Sequence, residues 1–389
     1  MTGSDNSRRA VHRRIVLAAG GTGGHLFPAQ SVAARLTARG ASVRLMTDAR
    51  GAGWGSRFAG AELDVIPSGT PAGGGGLHKA RAAARIAQGV MVARRLLKAA
   101  KPDMVVGFGG YPSLPPMLAA AWLGLPTLIH EQNAVLGRAN RVLAGRVGTI
   151  AASFPATERL RAADAGKLVQ TGNPVREAII ALRGLPYVAP NGSGPVRLLV
   201  LGGSQGARVM SDIVPAALTR LTPALRNRLR VTQQCRQEDL ARVTDSYAQA
   251  GIPAELAAFI EDVPQQLGAA HLVIARAGAS TVCELIAAGR PAILVPYPFA
   301  ADDHQAANAR ALVAAGGAWA MEEGRFTPQS LAEGLCALTS DPQSLADMAG
   351  AARMAGHPDA ADVLADLILA RADAAAAPAA VRTILQVAA

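Results

Sequence analysis

In this chain of 389 residues the groups able to do chemistry stand at the ends of apolar runs, and several of those ends are marked by glycine. "RIVLAAGGTGGHLFPAQ" (residues 14–30) passes through four glycines to His25, and "GFGGYPS" (107–113) and "LLVLGGSQGAR" (198–208) repeat the glycine step. Glycine lets a backbone approach phosphate closely, and a helix that follows presents free N–H groups and the positive end of its dipole. One such loop alone is a tight strand-to-helix turn; three together point to anion binding, a diphosphate above all. Neither common nucleotide signature fits: counted from Gly21 the third glycine of GxGxxG falls on Leu26, and no loop supplies the Lys-Ser/Thr of a phosphate loop. Other polar groups fall where strands should end. Glu131, Gln132 and Asn133 follow "TLIH", Asn173 and Arg176 flank Pro174, and Asp302, Asp303, His304, Gln305 and Asn308 follow "LVPYPFA". Glu284 lies one helix turn beyond a glycine step, where a carboxylate takes both hydroxyls of a ribose; standing alone it reads as an ordinary surface glutamate.

The elements that must hold these groups alternate. "RIVLAA", "VRLMT", "DMVVGFGG", "PTLIHEQN" and "GTIAASF" read as buried strands separated by helical segments, which predicts a parallel sheet covered on both faces. Residues 171–197 turn to Gly, Pro and Asn, as a linker does. The pattern then restarts, with Gly202 standing 182 residues after Gly20, and "LRVTQQC", "AELAAFI", "AAHLVIARAG" and "RPAILVPYP" supply further strands. The expectation is α/β: two doubly wound halves, 1–175 and 176–371, facing across a cleft, with a loosely held low-complexity tail at 372–389.

Composition narrows the class. Half the residues are apolar and 17% are charged, which excludes a disordered chain. Cys235, Cys283 and Cys336 lack CxxC spacing, so neither a disulfide framework nor a zinc site is indicated. The most apolar stretch, residues 113–129, is broken by Pro115, Pro116, Gly124 and Pro126 and falls short of a membrane span. Residues 1–176 hold 23 Lys/Arg against 8 Asp/Glu, a net of +15, while the remainder is at −4. Within that basic half, residues 77–101 carry seven Lys/Arg, no acid, and Leu77, Ile86, Val90, Leu96 and Leu97. Such a helix rests on anionic headgroups or packs its apolar stripe on its own domain. Nucleic acid is disfavoured, because aromatics are not interleaved and no nucleic-acid-binding motif appears.

"GGTGGHLFPA", "GGYPS", "HEQNAVLGRAN", "TGNPVR", "LGGSQGAR", "RAGASTVCELIAAGRPAILVPYP" and "DDHQAANA" occur in order from residue 14 to about 310. In these motifs the chain resembles the MurG family of bacterial glycosyltransferases. The resemblance implies a GT-B architecture of two Rossmann-like domains. It implies transfer of N-acetylglucosamine from UDP-N-acetylglucosamine, with inversion, to the muramyl 4-hydroxyl of lipid I, the undecaprenyl-diphosphate-linked muramyl-pentapeptide, at the cytoplasmic face of the inner membrane. By the same resemblance Ile260 contacts uracil, Ser204 and its loop hold the diphosphate, and Ala279, Ser280, Thr281, Val282, Cys283 and Glu284 run along the nucleotide. Arg176 offers phosphate a forked guanidinium and Gln305 reaches the donor sugar. Thr22, Gly23, Gly24 and Asn133 close over that sugar from the first half, whose basic residues 77–101 face the anionic membrane surface. His304 stands where that family often has glutamine.

Such a transfer needs a base for the acceptor hydroxyl and positive charge for the departing diphosphate. His25 is the candidate base, since imidazole transfers protons near neutral pH and a helix N-terminus keeps it neutral; Glu131 is the other nearby candidate. Without a further role, His25 caps its helix or hydrogen-bonds phosphate. Arg176, Arg208 and the helix after "GGSQG" would serve the leaving group. Apart from Asp302 and Asp303, which the resemblance puts beside the sugar, no acidic cluster is placed to hold a metal on the diphosphate, so a transfer without metal or other cofactor is expected. The rival readings are an NAD-dependent oxidoreductase using Asp48, against which the failed fingerprint and the second glycine loop both count, and a non-enzymatic basic membrane- or RNA-binding protein, which leaves the polar strand ends unexplained.

Overall fold

The computed structural model describes residues 12–53, 55–58, 60–71, 75–203 and 206–377. The first half contributes β1 (Arg14–Ala18), β2 (Ser42–Thr47), β3 (Glu62–Val65), β4 (Met104–Gly107), β5 (Thr127–Glu131), β6 (Thr149–Ala152) and β7 (Leu168–Gln170). The second contributes β8 (Val196–Leu201), β9 (Leu229–Gln234), β10 (Ala254–Ala257), β11 (Leu272–Ala275), β12 (Ala292–Leu294) and β13 (Ala318–Ala320). They form two sheets, ordered β3-β2-β1-β4-β5-β6-β7 and β10-β9-β8-β11-β12-β13. Every pairing is parallel, with Leu17 set beside Leu45 on one side and Val106 on the other. The central strands are continuous apolar runs because helices cover both of their faces. Strand order reverses between β1 and β4 and again between β8 and β11, so both glycine loops sit at switch points, at the carboxyl ends of β1 and β8.

Two expectations need correction. The final helix, Ala360–Ala376, belongs to the first half: Leu364, Ala365, Ile368 and Ala372 join Ile15, Leu17, Leu26 and Val32 in one core. Its spacing places those four on one helical face, while Asp362 and Asp366 on the flank pair with Arg35 and Arg39. The low-complexity run therefore begins inside an ordered helix, with Ala372 1% exposed and Asp373 paired to Arg13; residues 378–389 lie outside the described set. The chain thus crosses between the halves twice, and the crossings touch. Gly172 has φ of 76°, and a Cβ there would stand 2.7 Å from the Cβ of His357.

The basic helix, Gly76–Ala100, docks through Ala82, Gly89, Ala93 and Leu97. Gly89 is required, since a Cβ would overlap the Pro67 carbonyl. The docking seam is therefore made largely of small residues, with Val90 and Leu96 only partly buried against it. Leu77 at 67% and Met91 at 44% exposure face outward, as does Trp122 at 62% with Arg94 stacked 4.7 Å from its ring centroid. Among the described residues no helix is long and apolar enough to cross a membrane.

Candidate active site

β1 delivers the chain into the first glycine loop, and the helix Gly23–Ala38 starts directly after Thr22 with no side-chain cap and no acid in its first turn. The helices Arg208–Leu218 and Ala279–Ala288 begin in the same way, each after a glycine step at a strand end. Their first N–H groups lack intrahelical acceptors and carry the positive end of the dipole. The first loop meets the last of these helices across the two halves: a Cβ on Gly24 would stand 3.7 Å from Ser280 Oγ, a buried hydroxyl without a partner.

His25 lies on the glycine turn after β4. Gly109 and Gly110 have φ of 81° and 72°, and a Cβ on Gly110 would come within 3.0 Å of the imidazole Cδ2, so the ring's place depends on the absence of side chains there. His25 Nδ1 is 3.0 Å from Gln132 Oε1. Gln132 Nε2 lies 3.0 Å from the Phe108 carbonyl and 3.0 Å from His130 Nδ1, and His130 Nε2 lies 3.1 Å from the Gly172 carbonyl. Burial pushes the His130 imidazole down to about 4, against the Gly172 hydrogen bond, which favours the charged form.

Glu131, expected as an alternative base, is placed otherwise. It is 2% exposed at the end of β5, and its carboxylate accepts from Asn133 N (2.9 Å), Asn133 Nδ2 (3.2 Å), Gly137 N (2.8 Å) and Asn140 Nδ2 (2.8 Å). With four donors in place it shapes the loop of residues 131–137 rather than facing substrate. Asn133 is also committed: its Nδ2 serves Glu131 and its Oδ1 accepts from Asn308 Nδ2 at 3.1 Å, a bond between the halves. Asn308 adds the Ala134 N–H (2.8 Å) and the Ala277 carbonyl (3.1 Å).

On the second half, Arg176 meets Glu284 with Nε and Nη2 3.0 and 2.8 Å from Oε1, and its guanidinium stacks on Phe27 of the first half. Burial raises the Glu284 carboxyl above its ordinary value, and Arg176 offsets this only partly. Ala279, Ser280, Thr281 and Glu284 belong to the first turn and a half of their helix. Val282 and Cys283 point away: Val282 is in the core, and Cys283, its thiol pushed up to about 12 by burial, lines a cavity of about 480 Å³ behind the helix with Asn173 and Ala307. Gln305 Oε1 accepts from Ala277 N and Tyr297 N at 3.2 and 3.0 Å, joining the loops after β11 and β12. Ile260 is half-buried at the edge of the second core, beside exposed Phe259. Ser204 lies outside the described residues, and Arg208 pairs loosely with Asp212 at 3.4 Å.

The sequence reasoning missed a clasp between the halves. Arg138, Arg141 and Arg159 of the first half converge on Asp302, at 3.4, 2.5 and 2.8 Å, and both Asp302 and Asp303 adopt left-handed backbone. Burial works to raise the Asp302 carboxyl, but Arg141, Arg159 and Arg138 together hold it below the usual carboxylate value. Its sequence signal is the basic surplus of the first half, part of which faces Asp302. A cavity of about 760 Å³ opens among Arg197, Arg228, Arg230 and Glu255, at the amino end of β8 and away from the glycine loops. Among the described residues no cluster of His, Cys, Asp and Glu could hold a metal ion.

Two parallel-sheet α/β halves, with the first glycine loop meeting the helix Ala279–Ala288 that carries Glu284 and its partner Arg176, form the GT-B architecture of nucleotide-sugar transferases. The chain belongs to glycosyltransferase family 28: residues 15–152 match its N-terminal domain and residues 197–364 its C-terminal domain. It is 54% identical over 355 residues to the UDP-N-acetylglucosamine–N-acetylmuramyl-(pentapeptide) pyrophosphoryl-undecaprenol N-acetylglucosamine transferase of Paramagnetospirillum magneticum, covering 91% of this chain and 96% of that one. The transferase of the same name from Rhodospirillum centenum is also 54% identical, over 92% of this chain and 94% of its own. Among solved structures, MurG of Acinetobacter baumannii superposes with a TM-score of 0.74 at 33% identity, covering 92% of this chain and 99% of that one.

Proposed function

We propose that this protein transfers N-acetylglucosamine from UDP-N-acetylglucosamine to the 4-hydroxyl of the muramyl unit of lipid I, forming lipid II, with inversion at the anomeric carbon. The observation that carries the reading is the meeting of the first glycine loop with Ser280 across the halves, in a chain whose relatives of 54% identity bear that name. The second half takes the donor. Glu284 exchanges its bond with Arg176 for the ribose hydroxyls, which releases the guanidinium to the diphosphate. The glycine loop after β8, with Ser204, wraps the same phosphates, and the backbone at Ile260 meets uracil. Gln305 holds its oxygen inward, so its NH₂ is the end offered to the sugar. Thr22, Gly23 and Gly24 close from the other side.

His25 takes the proton of the attacking hydroxyl. Arg176 and two uncapped helix N-termini stabilise the charge that develops on the leaving UDP, so transfer persists under full chelation of metal ions. The acceptor arrives on the basic half, where Leu77, Met91 and Trp122 stand out among Lys79, Arg81, Arg85, Arg95 and Lys98. That face rests on anionic lipid at the cytoplasmic side of the inner membrane, each basic residue near the surface contributing about 1 kcal/mol. Radiolabelled UDP-N-acetylglucosamine and a lipid I analogue should yield labelled lipid II, and no product from the wild type would sink the proposal. Reversal of Arg81, Arg85 and Arg95 to Glu should release the protein from anionic vesicles while leaving turnover of a soluble acceptor intact.

A further inference from the structure

We infer that Gln132 is a positioning residue that fixes the tautomer of His25, leaving Nε2 as the nitrogen that receives the acceptor proton, and that His130 in turn fixes Gln132. The inference rests on the reading of His25 as the base. The chain of constraints starts at the Gly172 carbonyl, which only accepts, so His130 Nε2, 3.1 Å away, carries a proton. His130 is wholly buried, and burial pushes its imidazole down to about 4, so near neutral pH its Nδ1 is bare. A bare nitrogen accepts, and the group 3.0 Å from it is Gln132 Nε2, which therefore donates. The same amide group lies 3.0 Å from the Phe108 carbonyl, a second acceptor. A flipped carboxamide would set its oxygen against both, losing two buried hydrogen bonds. Gln132 Oε1 is thereby aimed at His25 Nδ1, 3.0 Å away, and an oxygen acceptor there requires the proton on Nδ1.

His25 Nε2 has no hydrogen-bond partner among the described residues. As the acceptor oxygen bonds the anomeric carbon, its proton passes to Nε2, the bond from that carbon to the UDP oxygen breaks, and the electron pair leaves with the diphosphate. A carboxamide secures the tautomer without adding negative charge, so it orients the base without raising its basicity as a carboxylate would. The titratable groups near this network include His130, behind Gln132, Glu131, which shares the Asn140 amide with the His130 carbonyl, and the Asp48–Arg50 pair beside Gly21.

The test is a long-range ¹H–¹⁵N spectrum of the full-length wild-type protein, with the two histidines assigned by His25→Gln and His130→Asn. The expected pattern is protonated Nδ1 and bare Nε2 on His25, with the reverse on His130. A proton on His25 Nε2 overturns the inference. Kinetically, Gln132→Leu should lower kcat about tenfold or more with donor KM unchanged. Gln132→Glu gives up the N–H bonds to the Phe108 carbonyl and His130 Nδ1, yet it should move the acid limb of the kcat/KM profile to higher pH, because a carboxylate stabilises the imidazolium. If both variants instead lower thermal stability and donor affinity together and leave that limb unmoved, Gln132 is merely structural and the inference fails. Full activity in His25→Gln would remove the base reading, while the spectrum would still decide whether Gln132 sets the tautomer.

Discussion

Glu131 and Glu284 are both shielded glutamates at the edge of the same cleft, one from each half, yet their surroundings differ. Glu131 has four N–H donors from its own loop, whereas Glu284 has a single arginine and a carboxyl raised by burial. A carboxylate whose acceptor sites are filled by its own fold is a structural post. One that pays for its burial with a single partner holds capacity in reserve, and a ligand's hydroxyls can use it.

The sharpest way to break this contrast is Glu284→Gln. Loss of charge-assisted bonds to the ribose should cost about 3 kcal/mol, on the order of 10²-fold in kcat/KM, mostly through donor KM. An unchanged donor KM would take Glu284 away from the ribose. Without donor, the same variant should unfold at an equal or higher temperature at pH 8. The sign follows from the raised pKa: the folded state holds this proton more tightly than the unfolded chain, so that stabilisation is complete below the ordinary glutamate value and is lost as pH rises through the folded value.

Glu131→Gln should do the reverse, lowering stability by about 2 kcal/mol in denaturant unfolding, since an amide cannot accept from all four donors. A stable Glu131→Gln protein whose kcat falls while its donor KM holds would restore Glu131 as a chemical participant. The smallest effect is expected from Asp302→Asn, which leaves three arginines facing a neutral group. Donor affinity should fall by several-fold, with a loss of about 1 kcal/mol, and rising salt should weaken the wild type towards the variant. Identical salt profiles would show that the clasp contributes nothing to closure.

What the sequence revealed, and what it hid, follows the same distinction between interior and edge. Strands β1, β4, β5, β8 and β11 are legible because burial on both faces demands an unbroken apolar run. Strands β3, β7 and β13 escape notice because each is short, lies at a sheet edge and is at least partly exposed, so "ELDV", "LVQ" and "AWA" carry no such demand. At the site, glycine loops and strand-end polar groups are visible as local signals. Which side chain serves the fold is not: Glu131 and Gln132 are adjacent in sequence, and only their contacts separate a loop post from a group bonded to His25. The final helix reads as amphipathic wherever it docks, so pattern alone assigned it to the nearer half.

That helix also bears on synthesis. Leu364, Ala365, Ile368 and Ala372 complete a core begun by Ile15 and Leu17, so the amino-terminal sheet emerges from the ribosome with part of its apolar face bare. One face of the second sheet is covered by a core drawn from residues 196–348, while the other also takes in Ala134, Val135 and Phe154 of the first half. The first sheet is therefore covered only once the final helix has left the ribosome, and that helix acts as the closing stitch of a core begun at the other end of the chain.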